Sequence, residues 1–172
     1  MSTKSPEPFE GPLVRVHRDF EEEFPRASAL ATECFLNLGR VALSMLSELD
    51  RLLDRFGITS YTSFNALTVL AGAGEPIPPS VIAERMVVTR PTLTGILNTL
   101  ERLELVIRSA HASDGRKRLV CLTDAGQDLV LHALPEVHRF EEELFSGLDG
   151  SQQSALLDCL SAIASHLNRF PA

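Results

Sequence analysis

Residues 78–126 read PPSVIAERMVVTRPTLTGILNTLERLELVIRSAHASDGRKRLVCLTDAG. The tandem Pro78 and Pro79 suit the first turn of a helix, where a missing N–H is not needed, and that helix is expected to reach about Met86. Thr89 is a good N-cap for a second helix over 90–103. Leu93, Ile96, Leu97, Leu100 and Leu103 recur there at helical spacing on one face. Leu105-Val106-Ile107-Arg108 and Leu119-Val120-Cys121-Leu122 read as two strands, and Asp114-Gly115 between them is a hairpin-turn signal. Thr123 is placed to cap a further helix. The stretch is thus helix, turn, helix, a two-stranded hairpin with a charged tip, and the start of a third helix.

Working outward, residues 1–24 form an arm with Pro6, Pro8, Gly11 and Pro12, irregular at first and helical in tendency over 15–23. A long helix is expected over 25–56, with Pro25 in its first turn and Gly57 as its C-cap. Its apolar stripe is Leu30, Ala31, Cys34, Leu38, Val41, Ala42, Met45, Leu49, Leu52, Leu53 and Phe56. A helix of that length needs a packing surface along all of it, and a second subunit supplies one. A shorter helix follows from Ser60 or Thr62 to Ala71, broken by 72–76, and Ile77 fits a very short strand. Downstream, a helix over 124–145 carries Pro135 inside it, where a kink or bend is expected. Asp149 and Gln152 have the spacing of a capping box for the last helix, whose stripe is Leu156, Leu157, Leu160, Ile163, Ala164 and Leu167. The fold class is mainly α with a small β-wing: a winged helix-turn-helix over 60–123, and a helical dimerisation region from 25–59 and 124–172.

The chain has 172 residues, the size of one domain, and a net charge of −7. Charge is unevenly placed. Residues 84–118 hold seven basic and four acidic side chains, a net +3, which leaves −10 for the rest. A local basic face on an acidic body fits duplex DNA while repelling it elsewhere. The three cysteines, Cys34, Cys121 and Cys159, include no CxxC pair, so neither a disulfide framework nor a zinc cluster is expected. No Gly-rich phosphate loop, nucleophile elbow or HExxH motif occurs, and the chain reads as a non-enzyme without cofactor. No apolar run is read as long enough to span a membrane and the N-terminus lacks a signal-peptide core, so a cytoplasmic protein is expected.

The order of elements, with Ile82-Ala83-Glu84-Arg85-Met86, Thr89-Arg90-Pro91-Thr92-Leu93-Thr94, Leu100-Glu101, Leu105-Val106-Ile107-Arg108, Ser113-Asp114-Gly115-Arg116 and Leu122-Thr123-Asp124-Ala125-Gly126, resembles the multiple-antibiotic-resistance-regulator (MarR) family of winged helix-turn-helix transcription factors. The resemblance extends from about 27 to 170. It departs at Val87 and Glu104, where the family usually has Gly, so the two turns are expected to be rebuilt slightly. It departs also at Gly95, where many relatives carry a basic residue.

The resemblance implies a homodimer on double-stranded DNA, usually a repressor released by a small-molecule effector. Arg90 is then the first choice for bidentate guanine readout, with Pro91, Thr92 and Thr94 near bases. Ser80, Thr89 and Asn98 hold phosphates. At the wing, Arg116 enters the minor groove, Asp114 orients it, and Lys117 and Arg118 attract phosphate. The family's ligand site implies Asn37, Arg40, Ser44, Tyr61, Asn65 and His111 as possible lining groups. Two rival readings stay open: a winged-helix adaptor that binds protein rather than DNA, and a redox sensor using Cys34, against which stands a plain buried core cysteine. His138 with Glu141 and Glu142 reads as solvated surface rather than a metal site.

Overall fold

The structure is a computed structural model describing residues 13–111, 114–167 and 169, with residues 111 and 114–117 described by backbone alone. It divides into two compact units, 1–51 and 52–172.

In the first unit a short α1 (Phe20–Glu23) precedes α2 (Ala29–Asp54), whose last residues pass into the second unit. α2 starts four residues later than Pro25 proposes. The reason lies in its first N–H groups: Ala31 N–H donates to Ser28 Oγ at 3.2 Å and Ala29 N–H to Glu21 Oε1 at 2.8 Å. A hydroxyl cap and a carboxylate at the positive helix end fix the boundary there, leaving Pro25 in the preceding turn.

The apolar stripe of α2 is present, but most of it is uncovered in the single chain. Of the stripe, Leu30 is 70% exposed and Val41 50%, while Leu49 is buried; off it, Phe35 and Leu43 are exposed as well. Cys34 is exposed, contrary to the core-cysteine reading. The expectation that no segment reaches membrane-spanning length also needs correction. α2 has 26 residues and a window of mean hydropathy 1.2, long and apolar enough to cross a membrane by those measures. Between Leu30 and Ser47 its charged residues are Glu33 and Arg40 alone.

The second unit contains α3 (Tyr61–Ala73), α4 (Pro79–Met86), α5 (Arg90–Arg102), β1 (Val106–His111), β2 (Asp114–Leu122), α6 (Asp124–Phe145) and α7 (Gly150–Leu167). α3 is the hub, packing on α4, α5, α6 and β2. Phe64, Leu67, Ile82, Leu93, Leu97, Leu100, Val106 and Val120 close the core. Burial of such side chains stabilises by about 1.5–3 kcal/mol each relative to exposure.

β1 and β2 pair antiparallel from Val106↔Leu122 to Ala110↔Arg118, and Ile77 adds a one-residue bridge to Val120. The register then shifts, so that His111 faces Asp114. Asp114 and Gly115 therefore lie within β2 rather than forming the turn, because the strands pair further out than the apolar runs indicate. Ala112 and Ser113 lie outside the described residues. α6 runs as one helix through Pro135. α7 opens on the expected reciprocal cap: Gln152 N–H donates to Asp149 Oδ1 and Asp149 N–H to Gln152 Oε1, both at 2.9 Å. No residue of α7 is buried.

One helix ending occurs three times. After α2, Ile58 N–H donates to Leu53 O and Gly57 N–H to Asp54 O, with Gly57 at φ 76°. After α4, Val88 N–H donates to Ala83 O and Val87 N–H to Glu84 O. After α5, Leu105 N–H donates to Leu100 O and Glu104 N–H to Glu101 O. Each is a Schellman cap, which needs a left-handed residue. Val87 (φ 54°) and Glu104 (φ 58°) fill that place in the second and third. The turns are not rebuilt: the glycine geometry is kept with side chains present.

Candidate nucleic-acid interface

α5 is anchored inward by Leu93, Leu97 and Leu100, which turns Arg90, Pro91, Thr92, Thr94, Gly95 and Asn98 to the exposed side. Its N-terminus is capped by Thr89, whose Oγ1 accepts from Thr92 N–H at 3.4 Å and shares a hydrogen bond with Thr92 Oγ1 at 2.8 Å. Thr94 Oγ1 donates to Arg90 O at 2.9 Å, leaving the Thr94 hydroxyl oxygen to accept from a partner. Among the described residues no ion pair engages Arg90. Ser80 is exposed in the first turn of α4. A Cβ placed on Gly95 would meet nothing within 4 Å, so the site of the missing basic residue is open space.

Asn98, expected from the sequence to contact phosphate, is tied to the wing through its carbonyl oxygen. Its Oδ1 accepts from Arg108 Nη2 at 2.8 Å, and Arg108 Nη1 lies 3.6 Å from Glu101 Oε2. Arg108 is the interface residue that the sequence reading passed over. A signal for it was available: β1 alternates buried Val106, exposed Ile107 and half-buried Arg108, so an arginine occupies an inward position.

The wing root is built from motif residues with structural work. Thr123 caps α6 through Gly126 N–H at 3.0 Å and donates its own hydroxyl to Glu104 O at 2.7 Å. Gly126 is buried, and a Cβ there would overlap the Leu105 carbonyl oxygen. Arg118 is exposed on β2 opposite Ala110. For Asp114, Arg116 and Lys117 the backbone lies in β2, while their side-chain roles, with that of His111, fall outside the described residues.

The candidate ligand-lining residues fall in two separate units. Asn37 is occupied: its Oδ1 accepts from Val14 N–H at 2.7 Å and its Nδ2 donates to Val14 O at 2.9 Å, binding the arm to α2. Arg40 and Ser44 are exposed on α2. In the second unit Tyr61 and Asn65 are half-buried on α3, and Asn65 O accepts from the Thr68 hydroxyl at 2.9 Å. His138, Glu141 and Glu142 are exposed.

A family model described as MarR family matches residues 56–117, which span α3, the helix pair and most of the wing. Over this segment the chain is similar to the MarR family. Among relatives, the HTH-type transcriptional regulator YwaE of Bacillus subtilis is 28% identical over 142 residues, 83% of this chain and 80% of that one. The homoprotocatechuate degradative operon repressor of Escherichia coli is 36% identical over 87 residues, 49% of this chain and 59% of its own length. The crystal structure of S. aureus MepR in complex with DNA superposes with a TM-score of 0.69 at 25% identity, covering 77% of this chain and 96% of that chain. The chain is a DNA-binding transcriptional regulator with a winged helix-turn-helix similar to that of the MarR family. At Val87 and Glu104, where the resemblance implies glycine, the backbone holds left-handed angles of the kind glycine adopts cheaply.

Proposed function

We propose that the chain is a homodimeric, sequence-specific repressor that binds a pseudo-palindromic operator and is released by a small-molecule effector. The observation that carries this is the exposed face of α5, with Arg90, Thr92, Thr94 and an open Gly95, beside a basic wing in an otherwise acidic chain. Arg90 reads guanine through N7 and O6, and the wing's Arg116 enters the adjacent minor groove, with Asp114 orienting it. Ser80, Thr89, Lys117 and Arg118 hold phosphates. The repressor-type relative and the DNA-bound structural neighbour support the same reading.

Residues 60–123 form the DNA-binding domain, and 25–59 with 124–172 the dimerisation region. Support for the dimer comes from the uncovered apolar side chains of α2 and α7, including Phe35, Leu43, Leu157 and Ile163. A second copy removes them from water, and two-fold symmetry sets two α5 helices about one DNA turn apart. The membrane-length apolar character of α2 is accounted for by this buried seam, and the protein acts in the cytoplasm.

Selection of bound fragments from a random DNA pool, followed by affinity measured against salt, tests the proposal. A dyad-symmetric site is expected, with affinity falling steeply as salt rises. Arg90→Ala relaxes the base preference and Arg116→Ala weakens binding. Unchanged affinity and preference in both variants refute the docking, and absence of DNA binding at low salt favours the adaptor reading.

A further inference from the structure

We propose that Arg108 is a positioning residue that locks the wing to the recognition helix, so that major-groove and minor-groove contacts form as one event. This rests on reading α5 and the wing as the DNA-binding elements.

Arg108 joins two elements that meet DNA separately. From β1 its Nη2 donates to Asn98 on α5 at 2.8 Å, and its Nη1 faces Glu101, one turn further on, at 3.6 Å. A planar guanidinium reaches two acceptors with two nitrogens at a fixed angle, which a lysine ammonium on a flexible stem does not reproduce. The backbone beneath it is held firmly. Arg108 pairs with Val120, and Val120 is bridged on its other side to Ile77 through hydrogen bonds of 3.0 and 2.9 Å. Beyond the Arg108–Val120 pair, Ser109, Ala110 and Arg118 are exposed and Leu119 is half-buried. The residue therefore stands where the wing leaves the core.

Its environment argues against a plain phosphate contact. The side chain is 26% exposed, and its charge is turned to Glu101. Among the described residues its buried Nε has no hydrogen-bond partner. An unsatisfied buried donor opposes stability, so core stability alone does not account for an arginine here. What the arginine supplies is a cross-link of defined length between helix and wing. It also turns the Glu101 carboxylate to a cation on the helix that approaches phosphates, and takes the carbonyl end of Asn98, leaving the NH₂ end as the donor toward DNA.

The test is a coupling measurement on a DNA site selected by the wild-type chain. Affinity and hydroxyl-radical protection are read for wild type, Arg108→Lys, Asn98→Ala and Arg116→Ala, and for Arg116→Ala within each of the first two variants, with melting followed in parallel. With the cross-link broken, protection at the α5 contacts persists while the flanking protection from the wing fades. Arg116→Ala, expected to lower wild-type affinity by about tenfold, then adds little further loss. Asn98 is exposed, so Asn98→Ala carries the test if Arg108→Lys fails to fold. Multiplicative losses with intact wing protection overturn the Arg108 proposal alone. A wild-type chain that binds no DNA overturns the reading beneath it, and this proposal with it.

Discussion

Val87 sits at φ 54° with its side chain 91% exposed. A left-handed backbone costs an L-residue about 1–2 kcal/mol, and a β-branched side chain is among the least suited to it. So little of Val87 is packed that exposure returns almost nothing. Val87→Gly removes the strain and gives back about 0.5–1 kcal/mol through the looser unfolded chain. The net expectation is a gain of about 0.5–1 kcal/mol by urea denaturation, and Glu104→Gly moves the same way; a loss in both variants refutes the strain account. Gly95 is the converse case. It stands mid-helix with open space around its missing Cβ, so Gly95→Ala is expected to stabilise by about 1 kcal/mol. Gly95→Lys, measured by DNA affinity at two salt concentrations, is expected to bind more tightly and with a steeper salt slope. An unaltered slope removes this position from the interface.

Between elements, close approach matters more than propensity. The first turn of α6 passes the Leu105 carbonyl at Gly126, and a methyl group there meets the Leu105 carbonyl carbon at 3.0 Å and Leu122 Cδ2 at 3.3 Å. Gly126→Ala must separate α6 from β1, and a loss of about 1–3 kcal/mol in thermal denaturation is expected; an unchanged Tm contradicts the packing. The arm on α2 is held differently. The Arg15 guanidinium beside Glu33, then the Val16 N–H, hold the Glu33 carboxyl below its ordinary range. A carboxyl depressed in the folded state contributes above its unfolded pKa, and the contribution is lost as pH falls through the folded value. Hydrogen exchange at Val16 is therefore expected to be slow at neutral pH and to lose its protection on acidification; protection unaltered in Glu33→Gln rules the carboxylate out as the holder.

These elements also mark what the sequence disclosed. Thr89, Gly57, Ile77 and the Asp149–Gln152 pair act through neighbours a few residues away or through simple strand pattern, and each lies where its local chemistry directs. The start of α2 was misplaced because Glu21, eight residues from the N–H it accepts, competes with Pro25. The Arg108–Asn98 bond was hidden because it exists only once the wing has folded back onto α5. The site residues were legible as a helix face. The engagement of Asn98 and Asn37 was not, since each is bound by a residue from another segment.

For the whole molecule, charge and apolar surface pull in different directions. The basic face is a net +3 within a chain of −7, so DNA attraction is short-ranged and orientation-dependent. With six or more phosphate contacts per dimer, affinity is expected to fall about a thousandfold between 50 and 200 mM salt. The apolar side chains of α2 favour association in the opposite sense, since hydrophobic burial is not screened by salt. Leu43→Glu is expected to leave the winged unit folded by circular dichroism while sedimentation shifts to the monomer; a dimer that survives this change places the seam elsewhere.

The two Schellman caps at Val87 and Glu104 bracket α5 at both ends, and Arg108 ties its middle to β1. A helix fastened at three points has little freedom to rotate or slide within its own unit. Any effector that releases this regulator must then act on spacing. In the dimer proposed above, it carries each reading head as a rigid body, changing the separation between the two heads while leaving the shape of each intact.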